Sequence, residues 1–84
     1  MSKNDKLIKR FFSNPKDFTW EELVFFLKIY GYYEKISGKT GGSRRKFIHE
    51  TKSPIIVHKP HPKNIIKSYI IKEITELFQK ENLL

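Results

Sequence analysis

The chain is organised around the stretch Lys39-Thr40-Gly41-Gly42-Ser43-Arg44-Arg45-Lys46, which joins two glycines and a small hydroxyl residue to a cluster of cations. Adjacent glycines let a backbone turn sharply and approach a ligand closely, and guanidinium groups pair well with phosphate. The stretch leads directly into Phe47-Ile48-His49, so we predict a loop over residues 38–42 and a strand over residues 43–50. The sequence therefore predicts a basic hairpin suited to a phosphate backbone.

Extended segments flank this hairpin on both sides. Residues 32–37 precede it, and residues 54–59 follow after a short turn, with Pro54 at the first position, where a missing backbone donor is tolerated. Three consecutive strands with short links predict an antiparallel meander. If Phe47 faces the core, strand alternation separates its neighbours into two sets: Ser43, Arg45 and His49 beside Phe47, and Arg44, Lys46 and Ile48 on the other face.

Two helical patterns precede the strands. Residues 3–12 have the apolar spacing of a short helix that ends at Ser13-Asn14-Pro15. The next helix begins after the N-cap Thr19, because Glu22 three residues later completes a capping box. Gly31 is the predicted C-terminal cap of this second helix.

A last helix is predicted after the strands, from about Lys63 or Ser68 to Asn82. Its apolar residues recur at three- or four-residue spacing: Ile66, Ile70, Ile74, Leu77 and Phe78. Lys63 and Lys67 lie at or near its N-terminal end, where free backbone donors and the helix dipole attract an anion. We therefore expect a phosphate at this end; the alternative is that Lys63 precedes the helix and is simply solvated.

The order helix, helix, strand, strand, strand, helix predicts an α+β fold, in which helices cover one face of a three-stranded antiparallel sheet. The 84 residues make one domain, residues 1–84, with a small core and little room for a buried cofactor. The absence of cysteine excludes disulfides and thiolate metal sites. No apolar run approaches the roughly 20 residues of a spanning helix, and no signal-peptide pattern occurs, so we expect a soluble cytoplasmic protein.

The formal charge of +8 is concentrated in one region. Residues 35–72 hold ten lysines and arginines against a single acidic residue, Glu50. Such clustering favours a polyanion partner, because neutralised phosphates release counterions and dominate nucleic-acid affinity. An anionic membrane surface is the weaker alternative, since it requires an amphipathic helix with a cationic face.

These features together resemble one known family. A Gly-Gly-Ser hairpin with basic flanks, a following meander, the element Lys59-Pro60-His61-Pro62 and a terminal amphipathic helix are similar to the HicA toxin family. The resemblance covers residues 18–84 and leaves residues 1–14 as an accessory N-terminal helix. It implies a double-stranded-RNA-binding-domain-like fold, an mRNA interferase activity that is endonucleolytic and metal-independent, and a HicB-like antitoxin as partner.

The hairpin departs from the family at one position. Members that cut RNA typically have histidine directly after the hairpin serine, whereas this sequence has Arg44 after Ser43. Metal-free RNA cleavage needs a base for the 2′-hydroxyl proton, and histidine suits that task because its ordinary pKa of about 6.5 lies near working pH. Arginine stays protonated but can stabilise charge on the phosphate, so we expect Arg44 to act electrostatically.

Three histidines are candidates for the missing base. His49 shares the Phe47 side and is expected to be structural, and His58 ends the third strand. His61, between two prolines at the start of the last helix, is best placed for a phosphate, although a histidine in such a turn is ordinarily just exposed. The spacing of these histidines to acidic residues indicates no metal site. We expect catalysis from His61 and Arg44, and RNA binding from Lys39, Ser43, Arg44, Arg45, Lys46, Lys59, Lys63 and Lys67.

Two functions remain open at this point. The first is a HicA-like endoribonuclease that holds RNA with its basic residues and cleaves it with a displaced histidine. The second is a non-catalytic RNA-binding module of the same fold, which recognises structured RNA through phosphate and 2′-hydroxyl contacts. Loss of RNA integrity in EDTA would support the first, and intact RNA with salt-sensitive retention would support the second.

Overall fold

The structure, a computed structural model, describes residues 3–35 and 44–83. It contains six elements in the order α1 (Lys3–Phe12), α2 (Trp20–Ile29), β1 (Tyr33–Lys35), β2 (Arg44–Ile48), β3 (Ile55–His58) and α3 (Ser68–Lys80). This arrangement confirms the predicted α+β class and the order of elements. The predicted loop over residues 38–42, which includes Lys39, and the predicted strand ends at Ile36, Ser37 and Ser43 lie outside the described residues.

The start of α2 has the predicted capping box. The Thr19 hydroxyl oxygen accepts a hydrogen bond from the Glu22 backbone N–H at 3.1 Å, and a Glu22 carboxylate oxygen accepts one from the Thr19 N–H at 2.9 Å. These two bonds satisfy donors that a helix N-terminus otherwise leaves without partners. Gly31 has a φ of +90°, a left-handed conformation that favours glycine, so α2 ends where the sequence predicts.

Helix α1 is attached to α2 by aromatic stacking and by an ion pair. Phe11 is fully buried, and its ring lies 3.8 Å from the Phe26 ring between centroids, with the two rings nearly parallel. The Arg10 guanidinium donates to the Glu22 carboxylate at 3.1 Å and to the Asp17 carboxylate at 2.9 Å. The first helix therefore contributes directly to the hydrophobic core.

The sheet is antiparallel, with β2 between β1 and β3. Phe47, Ile55 and Val57 are buried against the helices, and the Phe47 ring lies 5.7 Å from the Trp20 ring between centroids. Arg44 and Lys46 are exposed on the opposite face, as the alternation of the strand predicts. The sheet thus has a buried inner face and a basic outer face.

Helix α3 begins at Ser68, the later of the two predicted starts, and ends at Lys80 rather than Asn82. Lys63 precedes the helix because the backbone before Ser68 bonds elsewhere: the Trp20 N–H donates to the Asn64 carbonyl at 3.1 Å, and the Ile66 N–H donates to the Phe18 carbonyl at 2.7 Å. The late start changes the predicted buried stripe. Ile74 and Phe78 are buried as expected, Ile66 is buried before the helix, Ile70 and Leu77 are only half-buried, and Ile71 is buried in addition.

Within residues 3–35 and 44–83, none of the helices combines the length and the apolar character that a membrane crossing requires.

Candidate nucleic-acid interface

The first residue of β2 lies beside the last residue of β3. Arg44 is the direct partner of His58 in the antiparallel pair, and both residues are exposed. Because directly opposite residues project from the same face of a sheet, the guanidinium and imidazole groups share the outer face. Lys46 follows on that face, flanked by Lys35 on β1 and Ile56 on β3. The outer face is therefore most basic toward the end where β2 begins.

A groove of about 510 Å³ lies between the end of β3 and the start of α3. The basic residues that line it are His58, Lys59, His61, Lys63 and Lys67. His58 belongs both to this lining and to the pair with Arg44, so Arg44 lies next to the groove. The structure therefore brings together four of the residues predicted for the site, Lys59, His61, Lys63 and Lys67, with His58, another of the three candidate histidines.

The segment that carries these cations is held at several points. Pro60 and Pro62 fix their own backbone φ angles. The pairing of residues 64–66 with residues 18–20 ties the segment to the start of α2, and the Asn64 side-chain amide donates to the Glu21 carboxylate. The lysines of the groove thus lie on a backbone segment that is held in place by contacts with the start of α2.

Lys59 has a second contact inside the protein. Its ammonium nitrogen lies 5.9 Å from the centroid of the Trp20 ring, within the range of a cation–π interaction. Trp20 itself is buried, and Lys59 is half-buried. This contact orients the Lys59 side chain at the groove, while the Trp20 ring remains packed in the hydrophobic core.

The N-terminus of α3 opens beside the same lysines. Lys67 is the N-cap residue, its side chain makes no capping hydrogen bond, and the first turn of α3 has no acidic residue. A helix N-terminus carries free backbone donors and a partial positive charge. The arrangement differs from the predicted one, in which Lys63 and Lys67 are one helical turn apart, because Lys63 lies in the segment before the helix.

Three of the residues predicted for RNA binding lie apart from this cluster or outside the description. Arg45 is on the inner side of β2, and its Nε lies 3.5 Å from a Glu34 carboxylate oxygen on β1. It therefore faces away from Arg44 and Lys46. Lys39 and Ser43 lie outside the described residues.

His49 has a structural role at the end of β2. Its Nδ1 accepts hydrogen bonds from the backbone N–H groups of Thr51 at 3.0 Å and Lys52 at 3.2 Å. Its ring lies 5.0 Å from the Tyr32 ring between centroids. His49 thus stabilises the turn between β2 and β3, away from the groove.

Sequence reasoning named His58 only as one of three candidate bases, and it did not single out Tyr69 for the groove. The position of His58 beside Arg44 follows from strand register, which the alternation alone does not fix. Tyr69, the second residue of α3, is 56% exposed and also lines the groove, although an aromatic residue at the start of an amphipathic helix is ordinarily assigned to the core. The sequence offers one signal for an exposed Tyr69: this aromatic residue lies two positions after the last lysine of a lysine-rich segment.

Within the part of the chain that the structure describes, no group of three or more histidine or acidic side chains is placed to hold a metal ion. The family model described as HicA toxin of bacterial toxin-antitoxin matches residues 20–80. That range contains α2, the three strands and α3, and it leaves α1 outside. No curated protein and no solved structure matches the chain.

Proposed function

The chain belongs to the HicA toxin family, the toxins of bacterial toxin–antitoxin systems, and we propose that it is an endoribonuclease that binds and cuts mRNA in the cytoplasm. We further propose that the chain is one domain, in which residues 1–14 form an accessory helix on a HicA-like core of residues 18–84. Family membership supports the toxin role. The RNA substrate, the cleavage and the assignment of residues are inferred from the groove and its chemistry.

The observation that carries the proposal is the concentration of cations at one groove. Lys59, Lys63 and Lys67 line it, and no acidic residue occurs among the described residues of that lining. Arg44 and Lys46 extend the positive surface onto the outer face of the sheet. Phosphates of an RNA chain complement such a surface, and the free donors at the N-terminus of α3 suit the same charge.

Cleavage requires a base, an acid and a group that stabilises negative charge. In metal-free RNA cleavage the 2′-oxygen attacks phosphorus, the bond from phosphorus to the 5′-oxygen breaks, and a 2′,3′-cyclic phosphate forms. A base takes the 2′-hydroxyl proton, and an acid donates a proton to the leaving 5′-oxygen. His58 and His61 line the same groove and supply the base and the acid, while the guanidinium of Arg44 stabilises the charge on the phosphate.

The use of His58 and His61 as base and acid compensates for the absence of histidine after the hairpin serine. Arg44 occupies the position at which cleaving members of the family typically have histidine, and an arginine cannot take the proton. His58 lies directly opposite Arg44, so an imidazole remains next to that position although it comes from a different strand. The histidine function is thereby displaced from β2 to β3 and to the loop that follows it.

The expected partner is a HicB-like antitoxin. A basic active surface is most simply inhibited by an acidic surface that covers it, because complementary charges steer association and exclude the substrate. We therefore propose that the antitoxin and RNA compete for the groove and for the outer face around Arg44. Simultaneous binding of both would contradict this arrangement.

A second candidate function is RNA binding without cleavage by the same surface. The presence of Arg44 in place of the family's histidine favours it. Incubating the purified protein with a long single-stranded RNA in EDTA separates the two functions. Fragments with 2′,3′-cyclic phosphate ends support the endoribonuclease, and intact RNA with salt-sensitive retention supports the binding module.

A further inference from the structure

Tyr69 lies where the cationic part of the groove meets a second hollow, whose lining is mostly aliphatic but includes Glu73. Its side chain is 56% exposed, although most aromatic residues of the described chain pack in the core. Lys67 lies two positions before it, at the N-cap of α3. This second hollow, of about 250 Å³, continues along β3 and shares His58, Tyr69 and Ile70 with the groove. The exposed phenol ring of Tyr69 and the neighbouring lysines therefore suit a ligand that has both an aromatic ring and a negative charge.

Resting on the proposed RNA function, we propose that the groove is a binding site for a single-stranded stretch of RNA, in which a base stacks on Tyr69. The adjoining phosphates lie against Lys63 and Lys67. Stacking on an aromatic ring supported by a cationic track is the general way in which proteins hold single strands, because every base has a π-face.

Single-stranded RNA fits this site better than a duplex. In a double helix the faces of the bases are covered by their neighbours, so an exposed tyrosine meets base edges, sugars and phosphates but no free base face. The groove, with a volume of about 510 Å³, is in the size range of small-ligand pockets. A groove of this size accommodates a nucleotide rather than a double helix. The inferred substrate thus differs from the duplex that a double-stranded-RNA-binding-domain-like fold suggests.

An acidic peptide is the competing occupant, since it also complements three lysines. An acidic side chain, however, offers no aromatic face that could stack on Tyr69, the exposed aromatic residue that lines both hollows. A nucleotide accounts for the aromatic and the cationic features together, whereas an acidic peptide accounts only for the cations.

The test is a binding measurement with 2′-O-methyl RNA, which lacks the nucleophile for cleavage. A labelled single strand of about twelve nucleotides is compared with the same strand annealed to its complement. Tyr69→Leu removes stacking but keeps an apolar side chain, and Tyr69→Phe keeps the ring. Phe25→Leu is the matched control, because Phe25 is similarly exposed, at 49%, but lies on α2 and outside the lining of both hollows.

We expect Tyr69→Leu to weaken single-strand binding roughly 5-fold or more, and Tyr69→Phe and Phe25→Leu to stay within about 2-fold of the parent protein. Equal affinity of Tyr69→Leu and Phe25→Leu, tighter binding of the duplex, or tighter binding of poly-glutamate would overturn the inference. These outcomes leave the proposed function intact if the parent protein still binds RNA in a salt-sensitive manner. Absence of any RNA binding would overturn both.

Discussion

Arg44 and His58 lie directly opposite each other across the β2–β3 pair, on the exposed face of the sheet. This pairing joins two surfaces that come from different segments of the chain. Arg44 belongs to the basic hairpin, and His58 belongs to the groove that contains Lys63 and Lys67. The register of two strands therefore unites the hairpin cations and the groove cations in one surface.

The adjacent arginines of β2 provide a matched pair of variants for RNA affinity. Arg44→Ala should weaken RNA binding and reduce the slope of log affinity against log salt by about 1, because one phosphate contact is lost. Arg45→Ala should leave the slope unchanged, since Arg45 faces Glu34 on the inner side of the sheet. Binding titrations between low and moderate salt measure both slopes. An unchanged slope in Arg44→Ala would remove that residue from the contact surface.

The two groove histidines should be needed for cleavage but not for binding. His58→Ala and His61→Ala should each reduce the cleavage rate at least about 100-fold, the usual range for loss of a general acid or base. Affinity for uncleavable 2′-O-methyl RNA should change little in either variant. Full cleavage by His61→Ala would exclude His61 as base or acid, and the same result for His58→Ala would exclude His58.

Helix α1 should be essential to stability although it lies outside the family match. Phe11 is fully buried and stacks on Phe26, so Phe11→Ala should lower the free energy of unfolding by about 3–5 kcal/mol. Phe25→Ala is the control, because Phe25 is 49% exposed and its loss leaves no enclosed cavity. Urea denaturation measures both values. Equal, small effects would mean that α1 is dispensable for the core.

The Arg10–Glu22 contact should make stability depend on pH. The hydrogen bond from Arg10 is the main cause that lowers the pKa of the Glu22 carboxyl below its usual range, and the backbone N–H of Thr19 adds to it. A lowered folded-state pKa contributes stability that is complete above the pKa of an unfolded glutamate, about 4.3, and is lost as the pH falls through the folded value.

Arg10→Met should therefore be less stable than the parent protein at pH 7, by up to about 1 kcal/mol for a contact this exposed to solvent. The difference should shrink as the pH falls below about 4. Lys9→Met is the control, because Lys9 is an exposed neighbour on the same helix. Chemical denaturation at several pH values provides the comparison, and a pH-independent difference would assign the effect of Arg10 to packing.

Local signals explain why some elements were predicted well. The capping box of Thr19 and Glu22 and the left-handed Gly31 are encoded within a few residues, so both ends of α2 follow from the sequence. The start of α3 depends instead on two backbone hydrogen bonds: the Trp20 N–H donates to the Asn64 carbonyl, and the Ile66 N–H donates to the Phe18 carbonyl. Those contacts join segments more than forty positions apart, and no periodicity reveals them.

The site was predictable to the extent that its residues are close in sequence. Lys59, His61, Lys63 and Lys67 lie within nine positions, and the charge pattern alone predicts a common surface. The pairing of Arg44 with His58 required the strand register, and the exposure of Tyr69 required the helical phase that the start at Ser68 determines. Both depend on tertiary structure that the alternation and the apolar spacing leave open.

The central claim, that one continuous surface binds RNA, is tested most directly by mapping backbone amide shifts in NMR spectra during titration with single-stranded 2′-O-methyl RNA. We expect shifts confined to the neighbourhood of Arg44, His58, Lys63, Lys67 and Tyr69. Helix α1 and the exposed Phe25 region should remain unchanged. Shifts concentrated on α1, or none in the groove, would contradict it.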